Sequence, residues 1–294
     1  TSTPGRPILP SMEEIDLDVQ DDDDYYDDEE EEGSQPWGAE ASTTTGESNT
    51  VGSTNSKRMD WLLRMSRRLE EIPVGELDPS VTPINAIMNA WAKTKSSHGA
   101  SMVEAWLKRA QQEYDAGNTK VLPTNKMYTM AVDAWAKSGE GVSAAQRAEA
   151  ILQHMYRQFQ STGLENLRPT TGIFNAVINA WARSKEKIAP SRAEQILKWM
   201  HNLHRTNPSI QPDKYTYNTV IHAYAKAGGT AAAKKARELL KGMQRMYLQG
   251  NELAKPDTIT YNVVINSLAK SGGKEAAEEA EKLLSEMHRH SEAG

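Results

Sequence analysis

Apolar residues recur along this chain at i, i+3, i+4, i+7 and i+8, the buried stripe of an amphipathic helix. Five sets follow this spacing: Ile84, Ile87, Met88, Trp91, Ala92; Tyr128, Ala131, Val132, Trp135, Ala136; Phe174, Val177, Ile178, Trp181, Ala182; Tyr217, Val220, Ile221, Tyr224, Ala225; and Tyr261, Val264, Ile265, Leu268, Ala269. A block of the form Ala-Glu-x-Ile/Leu-Leu-x-x-Met opens 11 or 12 residues after each closing alanine, at Ala148, Ala193, Ala236 and Ala280, with Val103–Ala110 as a degenerate first copy. The pattern predicts five antiparallel helix pairs, and the closing alanines predict close approach of the second helix.

Punctuation supports the same division. Gly139, Gly228 with Gly229, and Gly272 with Gly273 stand where the first helices should stop. Pro123, Pro169, Pro212 and Pro256 mark the links between units, since proline lacks an N–H and resists helix continuation. Six residues after Pro79 and each of those prolines stands Asn85, Thr129, Asn175, Asn218 or Asn262, in steps of 44, 46, 43 and 44 residues. A period of that size identifies an array of stacked supersecondary units. The expected units are 79–122, 123–168, 169–211, 212–255 and 256–290. Upstream, Trp61, Leu62, Met65 and Leu69 keep helical spacing, and Met59–Ser66 aligns with the second-helix block. Residues 57–78 therefore read as a half-repeat that caps the apolar end of the stack. Residues 1–56, rich in Asp, Glu, Ser, Thr and Gly, offer too little apolar surface to fold and are expected to be disordered.

The string Pro256-Asp-Thr-Ile-Thr-Tyr-Asn-Val-Val-Ile-Asn-Ser-Leu-Ala-Lys-Ser-Gly272, with Ala280–Met287 behind it, closely resembles the pentatricopeptide repeat, a helix-turn-helix RNA-binding unit. The fourth unit, from Pro212-Asp-Lys-Tyr-Thr-Tyr-Asn218 to Met243, matches as well, and the first three keep the frame. The tetratricopeptide repeat, a protein-binding cousin, shares the architecture but carries a different first-helix signature. The resemblance implies an all-α, right-handed superhelical α-solenoid that binds single-stranded RNA. It further implies a mitochondrial or plastid location and a role in RNA processing, stability or translation. These units exceed the usual length of about 35 residues, in the helix turn and in the link between units, which bears on superhelical pitch and nucleotide spacing.

Each first helix also carries a polar stripe at four-residue spacing: Asn85, Asn89, Lys93; Thr129, Asp133, Lys137; Asn175, Asn179, Arg183; Asn218, His222, Lys226; and Asn262, Asn266, Lys270. Residues so spaced share a face. Amides suit base edges and cations suit phosphates. The five basic positions complement a helix C-terminus as well as a phosphate. The column after each proline, Ser80, Thr124, Thr170, Asp213 and Asp257, holds residue types that cap helices. By the resemblance, the Asn/Thr column and the next unit's post-proline column together choose the base. The base readers are then Asn85 with Thr124, Thr129 with Thr170, Asn175 with Asp213, Asn218 with Asp257, and Asn262. The Asn/Asp combination implies uracil over cytosine, with the N-terminal unit toward the RNA 5′ end. Trp91, Trp135, Trp181 and the Met155, Met200, Met243, Met287 column belong to the apolar stripes and read as core.

Charge strengthens the polyanion reading. Of 34 Lys and Arg only Arg6 falls in residues 1–50, against 16 of the 40 Asp and Glu. Residues 51–294 therefore hold 33 basic and 24 acidic side chains, an excess of nine positive charges behind a chain total of -6. The acidic residues 13–32 read as a solvated linker, with competition against RNA for the basic face as the alternative. No cysteine is present, which excludes disulfides and thiolate metal sites. His201 with His204 and His288 with His290 lack carboxylate or thiol companions at metal-ligand spacing. No catalytic constellation, cofactor motif, small-molecule site or membrane-spanning run is expected. Starting at Thr and ending just after a repeat helix, the chain reads as a fragment, with any targeting peptide or effector domain outside it. The rival function is a helical-repeat scaffold that binds protein, or a ribonucleoprotein component without base readout.

Overall fold

A computed structural model describes residues 59–67, 71–80 and 82–292. The 1–56 segment expected to be disordered lies outside the described residues. Residues 59–67 form helix α1. Five pairs follow: α2 (Ile84–Ala92) with α3 (Ser97–Asp115), α4 (Asn125–Ala136) with α5 (Gly141–Thr162), α6 (Thr171–Arg183) with α7 (Ala189–His204), α8 (Lys214–Ala227) with α9 (Gly229–Leu248), and α10 (Thr258–Ser271) with α11 (Lys274–Glu292). The elements are helical throughout the described residues, and the architecture is an all-α helical-repeat solenoid.

The first helices pack directly on one another, α2 on α4, α4 on α6, α6 on α8 and α8 on α10. Each second helix except α11 instead sits between its own first helix and the next unit's, with no comparable contact to another second helix among the described residues. One continuous apolar core runs through the stack from Leu62 in α1 to Leu283 in α11. Trp91, Trp106 and Trp181 are among its largest fully buried side chains, and the Met155, Met200 and Met243 column is fully buried with them. Truncating such a tryptophan removes about 3–5 kcal/mol of packing.

The closing alanines are mostly not core residues. Of Ala92, Ala136, Ala182, Ala225 and Ala269 only Ala136 is buried. The alanines that open the second-helix blocks, Ala148, Ala193 and Ala236, are by contrast fully buried. The reason is the two-sided burial of these second helices, which needs a small residue where two first helices converge on it.

Helix starts follow the post-proline column except in the first unit. Thr124, Asp213 and Asp257 each accept from a backbone N–H three residues on, and Thr170 is an N-cap without a side-chain bond. In the first unit the N-cap is Pro83 and α2 begins at Ile84, so Ser80 bonds Asp78 instead. Pro83 holds Thr82 out of helical geometry, which delays the start. Stops at Gly228 and Gly272 use φ of 71° at both. The first and third units have no glycine there, and Lys95 (φ 49°) and Lys185 (φ 61°) take the left-handed conformation.

The long links are pinned. Asn118 Nδ2 donates to the Leu77 carbonyl at 2.9 Å, Asn166 Nδ2 to Pro123 at 2.9 Å and Asn251 Nδ2 to Pro212 at 2.8 Å. In the third unit Thr171 does this from the other side, bonding the Ser209 and Gln211 carbonyls. The link residues thus tie the end of a unit back to its own start in the second, third and fourth units, while Asn118 reaches Leu77 just ahead of the first; two of these asparagines are set on 3-10 turns at Glu165–Leu167 and Glu252–Ala254.

Candidate nucleic-acid interface

Three-residue nodes form where one unit's asparagine meets the next unit's helix start. Asp213 Oδ1 accepts from the Thr216 N–H at 2.8 Å, and the Asp213 N–H donates to Thr216 Oγ1 at 3.1 Å, a reciprocal capping box. Asn175 completes the node: Thr216 Oγ1 donates to its Oδ1 at 2.6 Å, and its Nδ2 lies 3.3 and 3.4 Å from the two Asp213 oxygens. The next junction repeats the plan, with Thr260 Oγ1 donating to Asn218 Oδ1 at 2.7 Å and Asp257 capping Thr260. There Lys214 adds an ion pair to Asp257 Oδ2 at 3.0 Å. Burial raises the Asp257 carboxyl, but bonds from Thr260 and Lys214 outweigh it and hold the group below the usual aspartate value.

The structure thus brings Asn175 to Asp213 directly, and Asn218 to Asp257 through Thr260. The other pairs are not joined. Thr129 turns its hydroxyl back to Asn125, bonding its carbonyl at 2.9 Å and its side-chain oxygen at 3.1 Å, while Asn125 Nδ2 reaches the Arg168 carbonyl. Thr124 is engaged as a cap, Thr170 is half-buried, and Asn85 and Asn262 are exposed. Asn175 is only 9% exposed, so it ties two units together as well as facing the junction.

The basic column ends each first helix. Lys93 and Lys137 are the C-cap residues of α2 and α4, and Arg183, Lys226 and Lys270 lie in the last turns of α6, α8 and α10. All five are exposed, and none enters an ion pair among the described residues. Between the two columns, burial raises the Asp133 carboxyl and Lys137 offsets part of the rise. Burial holds His222 below the usual histidine value, although the residue as a whole is exposed.

Two groups of residues escape the periodicity argument. Tyr215 and Ile259 are large apolar side chains left 54% and 60% exposed in the first turns of α8 and α10. Each stands three residues before the column asparagine, on the same helix side as Asn218 and Asn262. The signal was available, since both fall outside the apolar stripe of their helix. The second group is the block glutamates. Glu104 accepts from Trp135 Nε1 at 2.9 Å, Glu149 from Trp181 Nε1 at 2.8 Å, and Glu194 from the Tyr224 hydroxyl. The tryptophans are therefore core residues with one polar tie to the preceding unit. His201 likewise has a structural partner, its Nε2 lying 2.9 Å from the Tyr217 hydroxyl.

Comparison with known families matches residues 195–271 to the pentatricopeptide repeat domain and residues 259–291 to the PPR repeat. A search of curated proteins finds no significant match. The matched stretches contain both asparagine–aspartate–threonine junctions apart from the α6 residue Asn175, and three upstream helix pairs share their plan. Residues 195–291 are thus pentatricopeptide repeats, helical repeats of a family that typically binds RNA.

Proposed function

We propose that this solenoid binds single-stranded RNA with base selectivity, one nucleotide per unit, along the face formed by its first helices. In this reading the five units are 79–122, 123–168, 169–211, 212–255 and 256–290, and α1 covers the N-terminal end. The observation that carries it is the pair of junction nodes: at one the Asn175 amide nitrogen stands beside the Asp213 carboxylate, and at the other Thr260 links Asn218 to Asp257. Uracil offers a carbonyl oxygen beside its N3–H, the complement of an amide N–H and a carboxylate oxygen. Cytosine puts an acceptor at N3 and opposes the carboxylate. Asn175 with Asp213 and Asn218 with Asp257 then read adjacent pyrimidines, uracil preferred. Asn85 with Thr124 and Thr129 with Thr170 are less discriminating, and Asn262 closes the row. Tyr215 and Ile259 supply apolar surface for stacking against the bases. Lys93, Lys137, Arg183, Lys226 and Lys270 hold the backbone.

An organellar role, in a mitochondrion or plastid, in RNA processing, stability or translation, goes with family membership. The work is recognition, with no reaction assigned to the chain. Selection from a randomised RNA pool tests the reading. Recovery of a two-pyrimidine preference that Asn218→Thr alters is the expected result. A pool with no such preference, or one indifferent to that substitution, overturns base readout. The burial of Asn175 favours a second reading, in which this column only ties units together and the solenoid is a protein scaffold or ribonucleoprotein component. Absence of salt-dependent binding to any RNA homopolymer would select it.

A further inference from the structure

We propose that Thr216 and Thr260 are positioning residues for base choice, each fixing the amide orientation of the preceding unit's asparagine so that it presents N–H, not C=O, to the base. The inference rests on the RNA-reading function proposed above and deepens it.

The argument begins with what each atom in the node is able to do. An ionised aspartate accepts only, so the asparagine group nearest Asp213 must be its Nδ2. That places Asn175 Oδ1 against Thr216 Oγ1, where two oxygens 2.6 Å apart require a proton between them. The single hydroxyl proton is shared with Asp213 Oδ1 at 2.8 Å, the asparagine contact being the shorter. The same hydroxyl accepts from the Asp213 N–H, which fixes the rotor. With Oδ1 occupied and one Nδ2 proton turned to Asp213, the second Nδ2 proton is left for a ligand. Thr260 holds Asn218 through the equivalent bond at 2.7 Å and closes the same capping box with Asp257. Both threonines are buried, so neither touches a base itself.

The corresponding residues at the two earlier junctions are Met127 and Ile173, three positions after Thr124 and Thr170. Both are apolar and buried, and neither supplies a hydroxyl. Fixed amide polarity is therefore confined to the third and fourth junctions among the described residues.

The test substitutes valine, which keeps the branched shape and removes the hydroxyl, at one junction at a time in the full chain. The cap through the backbone N–H of residue 216 or 260 survives, because Asp213 and Asp257 still accept from it. For Thr216→Val, the uracil-over-cytosine ratio at the nucleotide read by Asn175 should fall about tenfold, the value of one good base contact. The ratio at the Asn218 nucleotide and the salt dependence should hold. Thr216→Ser should restore the ratio, and Thr260→Val should show the reciprocal pattern. A ratio unchanged in folded Thr216→Val, or not restored by serine, overturns the inference. Amide exchange in the wild-type chain gives a readout that needs no variant to fold. One protected and one fast side-chain proton is expected at Asn175, and two equally fast protons overturn the proposal. If the wild-type chain shows no base preference at either nucleotide, it is the RNA-reading function that fails.

Discussion

The indole N–H of Trp181 donates to the carboxylate of Glu149 at 2.8 Å, thirty-two residues back on the preceding unit's second helix. Arg192 completes the contact, bonding the other Glu149 oxygen at 2.6 Å and stacking 5.6 Å over the Trp181 ring. Trp135 with Glu104 and Tyr224 with Glu194 repeat the tie. In the last junction Leu268 replaces the aromatic donor and Arg237 the glutamate, and Arg237 pairs instead with Glu279 and Glu286.

Glu149→Ala should therefore destabilise the stack more than its small volume change implies. It strands a buried N–H and leaves Arg192 without its carboxylate, a loss of about 3 kcal/mol for a broken buried pair. Glu149→Gln retains an acceptor oxygen and should lose about half as much. Urea unfolding of the two variants measures the difference. Equal, negligible shifts would show that the tie adds nothing.

Lys185→Gly should stabilise the protein by about 1 kcal/mol, because Lys185 holds a φ of 61° that costs a side-chain-bearing residue this much. Lys95→Gly, at φ 49°, should behave alike. Higher unfolding midpoints without change in helical content are the expected outcome; lower midpoints would mean that these lysines make contacts worth more than the strain.

If each of the five exposed cations neutralises one phosphate, log affinity for single-stranded RNA falls against log salt with a slope of about -3.5, or about -0.7 per contact. Lys226→Ala with Lys270→Ala should flatten the slope by about 1.4 and leave base preference in place. Both residues are exposed at helix ends, so the fold should survive. An unaltered slope would return these side chains to complementing the helix dipole.

Stability should decline as pH falls below about 6.5, the ordinary histidine value. Burial, with His204 nearby, holds His201 below its usual value of 6.5. Burial does the same to His154, with Arg157 adding to it. A lowered folded value means that the unfolded chain takes the proton first as pH drops. The contribution is therefore complete above about 6.5 and lost below it, down to the folded value. His201→Gln keeps a partner for Tyr217 without titrating, so its melting temperature should vary less over this range. Glu113 and Glu194 act in a separate, more acid window. Burial raises each, but hydrogen bonds, from Asn118, Arg109 and two backbone N–H groups at Glu113 and from Lys198 and Tyr224 at Glu194, leave both below 4.5. A His201→Gln profile parallel to wild type would assign the loss elsewhere.

The sequence by itself determined the five helix pairs, their order and the exposed basic column at the ends of the first helices. Those features are written locally: a 3.6-residue stripe, proline where a link begins, glycine at Gly228 and Gly272, and one sign of charge at a fixed register. Tertiary structure decided what lies across the unit boundaries. Trp181 and Glu149 stand 32 residues apart and Asn175 and Thr216 stand 41 apart, and helical spacing within one unit carries no information about which residue of the next will face it. It also decided that the block alanines are buried more deeply than the closing ones, that α2 waits until Pro83 has passed, and that Lys95 and Lys185 turn left-handed without glycine. In each case the governing quantity is the relative placement of two units, set by the packing of the whole core, which no single window of sequence contains.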